Sequence, residues 1–116
     1  MKILIVDDSL NISRAVEALL VPEGHEVIKA EDGFSALSVF RREEPGFIFM
    51  DIDMPLLDGY KTTQLIRSRS NVPIVFLSSN GTVFDQARAS LVGATDFIVK
   101  PFSKEAVLSS ISRYGQ

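Results

Sequence analysis

The chain has 116 residues, a formal charge of −3 and no cysteine, so it is sized for one domain and excludes disulfide scaffolds, thiolate metal centres, iron–sulfur clusters and cysteine nucleophiles. A pI near 5.1 without any basic run argues against direct nucleic-acid binding. Apolar runs of at most four residues, after a start (Met1-Lys2) that lacks a signal-peptide pattern, argue against membrane insertion, leaving a single domain over residues 1–116 expected in the cytoplasm.

In chain order, short runs of Ile, Val and Phe alternate with stretches of helical spacing. Ile3-Leu4-Ile5-Val6 reads as a first strand. Ile12, Ala15, Val16, Leu19 and Leu20 follow as an apolar stripe, and Pro22 and Gly24 stop that helix. The only histidine, His25, reads as a solvated turn residue. Val27-Ile28, flanked by His25, Glu26 and Lys29, reads as an edge strand. A second helix is expected over 33–43, with Phe34, Leu37 and Phe40 facing inward and Pro45-Gly46 ending it. Phe47–Met50 is the third strand, Asp58 the N-cap of a helix running to about Arg69, and Ile74–Leu77 the fourth strand. A weakly amphipathic helix over 83–91 has Phe84, Ala87 and Leu91 on one side. Phe97-Ile98-Val99 is the fifth strand, and Ser103 caps a last helix whose inner face is Val107, Leu108 and Ile111. Phe84 and Phe102 fit either core or docking surface, and Leu56 is a candidate exposed apolar residue beside the site. Five βα repeats of this kind imply a parallel sheet covered by helices on both faces.

In an open α/β sheet, ligands bind beyond the carboxyl ends of the strands, where strand order reverses. The residues that follow the strands here are Asp7 and Asp8, then Asp51 with Asp53, then Ser78 and Ser79, then Lys100-Pro101. Singly, each has an ordinary reading: an Asp-Asp pair as turn and capping chemistry, Ser78-Ser79-Asn80-Gly81 as a loop, Lys100 as a solvated turn residue. Together they place carboxylates, a hydroxyl and an ammonium on one rim. Carboxylates held together repel unless a cation is present, and hard oxygen ligands select Mg²⁺ or Mn²⁺. Asp51 can then accept a phosphoryl group as an aspartyl-phosphate, with Lys100 and Ser78 on the remaining phosphoryl oxygens. No Gly-x-x-x-x-Gly-Lys loop is present, so P-loop nucleotide binding is not supported.

These residues resemble the receiver domain of two-component response regulators. The resemblance runs along the whole chain and rests on Ile3–Ser9, Met50–Gly59, Pro73–Ser79 and Phe97–Phe102 in this order and spacing. The stretch from Ser78 to Glu105 looks most like stand-alone regulators of chemotaxis and twitching motility. The resemblance implies a flavodoxin-like (βα)5 fold, a doubly wound five-stranded parallel sheet of order 2-1-3-4-5 with helices on both faces. It further implies that Asp51 takes a phosphoryl group from a histidine kinase or a histidine phosphotransfer protein. Asp8, Asp51 and the backbone carbonyl of Asp53 would ligate Mg²⁺, with Asp7 acting through water. Lys100 would contact the phosphoryl oxygens, Ser78 would swing toward them and Phe97 would turn inward. The face of the fourth helix, fifth strand and fifth helix would then change its hold on a downstream protein, with the chain a monomer or a weak phosphorylation-dependent dimer. Asp53 and Asn80 stand at tuning positions, and Lys100-Pro101 is expected to be cis.

The family pattern makes the chain a signalling switch whose catalysis is confined to its own phosphorylation and dephosphorylation. Two other readings compete. A haloacid-dehalogenase-type phosphatase would also use an Asp nucleophile, but in that family the acidic pair comes last, whereas Asp7-Asp8 comes first here. A phosphorylation-independent binding module usually lacks an acidic residue or the lysine, and all are present. A chain stopping at Tyr114-Gly115-Gln116 fits both a free-standing regulator and the front of a longer one.

Overall fold

The apolar runs do become strands. In the computed structural model, which describes residues 1–54 and 56–115, the five parallel strands are β1 (Lys2–Val6), β2 (Glu26–Ala30), β3 (Phe47–Asp51), β4 (Ile74–Ser78) and β5 (Asp96–Val99). Pro55, part of the Met50–Gly59 motif, and Gln116 lie outside the described residues. The sheet order is β2-β1-β3-β4-β5, the order expected. β3 and β4 are buried along their whole length and β1 from Ile3 onward, which is why they carry unbroken apolar runs instead of alternation. β2 forms one edge, as its charged flanks imply, and β5 the other.

Four helices return the chain between strands, α1 (Leu10–Leu20), α2 (Gly33–Glu43), α3 (Gly59–Arg67) and α4 (Val83–Leu91), and α5 (Lys104–Tyr114) follows β5. Each opens on a side-chain cap. Ser9, Asp32, Asp58, Thr82 and Ser103 accept from the backbone N–H groups of Ile12, Ser35, Lys61, Asp85 and Ala106. Such caps are worth ~1 kcal/mol each. After α1 a 3₁₀ turn over Val21–Glu23 ends on Gly24 at φ 87°, a left-handed position that glycine takes without strain. The Lys100–Pro101 peptide is cis, as the resemblance implied.

Two apolar layers flank the sheet. On one side Leu4, Ile48, Met50 and Phe76 pack with Ala36 and Val39 of α2, Tyr60 and Ile66 of α3, and Ala89 of α4. On the other, Ile3, Ile5, Phe49 and Leu77 pack with Val16 and Leu20 of α1 and Val107 and Ile111 of α5. α2, α3 and α4 therefore cover one face, α1 and α5 the other.

Helix rotation departs from expectation on α2 and decides a question left open on α4. On α2 the inward residues are Gly33, Ala36 and Val39, with Leu37 and Phe40 half-buried, while Phe34 is 60% exposed. On α4 the side that carries Phe84, Ala87 and Leu91 faces outward: Phe84 is 75% and Leu91 87% exposed, Ala87 is exposed too, and the buried residue is Ala89, which settles Phe84 as surface and not core. Small side chains bring these helices close to the sheet, and the bulky apolar residues are left outside. Ala15 is likewise exposed at the margin of the α1 stripe, whose core members are Val16 and Leu20. His25 is half-buried, with Nδ1 3.1 Å from the Met1 amino group, and not simply solvated. Phe102 packs against the α1/α5 layer, which settles it as part of the core margin, and Leu108 packs there as expected.

Candidate functional site

Strand register assembles the site. Val6 lies beside Met50, Asp51 beside Leu77 and Ser78 beside Val99. The residues leaving β1, β3, β4 and β5 therefore emerge on one rim, at the reversal of strand order between β1 and β3.

Asp7, Asp8 and Asp51 each place a carboxylate oxygen within 4.8 Å of the other two. Asp7 and Asp51 are 2% and 3% exposed, whereas Asp8 faces solvent. Local hydrogen bonds aim them: Ser9 N–H donates to Asp7 Oδ1 at 2.8 Å, and Asp53 N–H donates to Asp51 Oδ1 at 3.2 Å. Lys100 Nζ reaches Asp7 Oδ2 at 3.4 Å and Asp51 Oδ1 at 3.5 Å. One ammonium against three carboxylates leaves a deficit of two positive charges. The electrostatic result is visible at Asp51, whose pKa rises from 3.8 to about 7. Burial is the largest cause, followed by the Asp7 charge; Lys100 and the Asp53 N–H pull the other way. The donor set is all hard oxygen and short of two positive charges, which fits a divalent ion such as Mg²⁺.

Ser78 is fully buried, and its hydroxyl both donates to Asn80 O and accepts from Asn80 N–H, each at 3.1 Å. Asp53 and Asn80 are exposed at the mouth. Phe97 is half-buried, its ring 6.5 Å from Phe76, which in turn meets Tyr60 edge-on at 5.5 Å. Leu56, beside the site, is exposed, with its backbone in the left-handed region at φ 67°. Reading the sequence did not single out Gly59. A Cβ there would stand 2.5 Å from the carbonyl oxygen of Asp51, so α3 can start against the backbone of Asp51 only because this residue has no side chain. The signal was available in Asp58-Gly59, a cap followed directly by glycine.

The comparisons with known proteins cover almost the whole chain. The family described as Response regulator receiver domain matches residues 3–112. The chain belongs to that family. Its relatives include Protein PilG of Pseudomonas aeruginosa, 43% identical over 117 residues that cover 98% of this chain and 87% of that protein. The probable transcriptional regulator ycf27 of Pyropia yezoensis is 45% identical over 97% of this receiver domain, which spans only 47% of that longer protein. Among solved structures, the chemotaxis protein CheY4 of Vibrio cholerae superposes with a TM-score of 0.92 at 33% identity, covering 97% of both chains. A full-length match to a chemotaxis protein agrees with the resemblance read from Ser78 to Glu105. The receiver fold and its two-component setting thus stand on both sequence and structure.

Proposed function

We propose that this receiver domain accepts a phosphoryl group on Asp51 and converts it into a changed docking surface for a downstream protein. The observation that carries the reading is the placement of Asp51 at the end of a fully buried central strand, between two further carboxylates and the Lys100 ammonium. A carboxylate oxygen of Asp51 forms a P–O bond as the P–N bond of a phosphohistidine on a histidine kinase or histidine phosphotransfer protein breaks, and the histidine leaves with its electron pair. The single histidine among these 116 residues lies in the loop before β2, so the donor histidine lies outside residues 1–116.

Asp8, Asp51 and the backbone carbonyl of Asp53 would hold Mg²⁺, with Asp7 acting through water; when bound, the ion neutralises charge that develops on the phosphoryl oxygens. Lys100 gives up its hold on Asp51 to meet a phosphoryl oxygen. The Ser78 hydroxyl exchanges its Asn80 partners for another, and Phe97 moves further into the space beside Phe76. Asp53 and Asn80, at the mouth, set how easily water reaches the acyl phosphate. The output surface is α4, β5 and α5, and its support is the outward apolar row Val83, Phe84, Ala87 and Leu91 on α4. The domain works as a cytoplasmic switch, monomeric or weakly dimeric when phosphorylated. Among the described residues no helix is long and apolar enough to cross a membrane.

The test is intact mass after incubation with phosphoramidate, with and without Mg²⁺. The chain should gain one phosphoryl group only with Mg²⁺, and Asp51→Asn should gain none. A folded wild-type chain that gains nothing would instead point to a binding module independent of phosphate.

A further inference from the structure

We infer that the groove between α2 and α3 is a second docking site, one that takes an acidic amphipathic helix of a partner protein. Leu37, Phe40, Leu65 and Ile66 form the floor of a cavity of about 240 Å³, and Arg41 and Arg69 stand on its rim. Two further hollows continue it, one along α2 from Phe34 to Arg42 and one past Glu44 and Pro45 at the C-terminal end of that helix. Phe34, Leu37 and Phe40 are the row that helical spacing assigns to the core, yet Phe34 is left exposed and no other described element covers it. α2 thus carries more apolar surface than its own sheet buries.

Charge selects the occupant. In a chain of net charge −3 this face gathers three arginines. Arg42 is committed to Glu43 at 3.2 Å, but among the described residues Arg41 and Arg69 have no salt bridge and no side-chain hydrogen bond. The one carboxylate lining the groove is Glu44, at its far end. An apolar floor between unpaired cations fits a helix with apolar anchors flanked by Asp or Glu. The 11 residues of α2 run about 16 Å, enough to line three turns of such a helix. A second copy of this chain fits poorly, because a two-fold contact would set Arg41 and Arg69 against their own counterparts.

The groove is independent of phosphorylation at Asp51. It extends to the C-terminal ends of α2 and α3, which in a parallel α/β sheet lie at the rim opposite the strand ends that carry the site. Failure of one reading therefore leaves the other standing.

The probe is a 16-residue acetylated and amidated peptide, long enough to hold some helix alone. It carries Leu at positions 3, 7, 10 and 14, and Glu and Ala elsewhere. Titrated into the ¹⁵N-labelled full chain, it should shift amide resonances in α2 and α3 and leave α4 and α5 unmoved. Arg41→Glu with Arg69→Glu should weaken binding about tenfold. Phe34→Ala, at an exposed position that leaves folding intact, should weaken it too, while Asp51→Asn should bind as wild type does. The same peptide with Lys for Glu should not bind at α2–α3. The proposal fails if the shifts map to α4, if the double reversal leaves affinity unchanged, or if the Lys peptide binds this groove equally well. It fails equally if the unliganded chain self-associates through these residues.

Discussion

Burial and the Asp7 carboxylate both work against a negative charge on Asp51, and Lys100 offsets only part of their effect, so the carboxyl holds a proton up to about pH 7. In the unfolded chain the same group releases it near 3.8. A carboxyl whose pKa is raised by folding contributes stability that is fully present below about pH 4. That stability is lost as pH climbs through 7, because the folded state binds the proton more tightly than the unfolded state. Asp51→Asn removes this dependence. Without divalent ions the variant should therefore gain on wild type as pH rises from 4 to 8. Urea unfolding of both chains at several pH values measures the difference; a gap that stays constant across this range would refute the electrostatic account. Added Mg²⁺ should narrow the gap at pH 8 by stabilising wild type, since a ligand that binds only the folded state stabilises it by mass action. The site set of Asp7, Asp8, Asp51, Ser78 and Lys100 was legible in the sequence because each residue stands at or just past the end of an apolar run, and strand ends in a parallel sheet share a rim. Which way each side chain is held was not legible. The Ser78 hydroxyl closed onto Asn80, and the place of Gly59 against the Asp51 carbonyl, depend on contacts between elements that no local pattern encodes.

At the scale of elements, strands read more truly than helix faces. A run such as Ile74–Leu77 has no polar alternation, so it is buried on both sides whichever way it turns. Helices α2 and α4 instead carry more apolar residues than one face can hold, and periodicity finds a stripe without saying which way it points. Packing decides, and it chooses the small residues: Ala36 on α2 and Ala89 on α4 lie against the sheet while Phe34, Phe84 and Leu91 are excluded. The α4 case has a direct check. Phe84→Ser and Leu91→Ser should each change unfolding free energy by less than about 0.5 kcal/mol, as surface substitutions do. If that side faced the core instead, truncation of a buried Phe would cost roughly 3–5 kcal/mol. The same two variants should still be phosphorylated by phosphoramidate, yet lose binding to the downstream protein. That split separates a docking role from a structural one.

Across the whole molecule stability is distributed unevenly, and the distribution follows the chain's proposed work. β1, β3 and β4 sit between two apolar layers, and their amides can exchange only when both layers open. α4 is anchored chiefly through Ala89, and β5 is an edge strand of half-buried residues ending on exposed Val99. Among the contacts that tie this region inward, Arg88 stacks 4.0 Å above the ring of Tyr60, and Arg67 of α3 donates to Gly93 O at 2.8 Å. A switch needs an element that can take two packings separated by a few kcal/mol, and the lightly anchored α4–β5 unit meets that need where the central strands cannot. Native-state hydrogen exchange should accordingly find α4 and β5 opening at free energies at least about 2 kcal/mol below those of β1 and β3. Phosphorylation of Asp51 should raise protection in α4 and β5 while leaving β1 and β3 as they were. Uniform protection across all five strands and α4 would mean that the molecule moves as one rigid body, and the coupling of Asp51 to the outward face of α4 would then have no physical carrier.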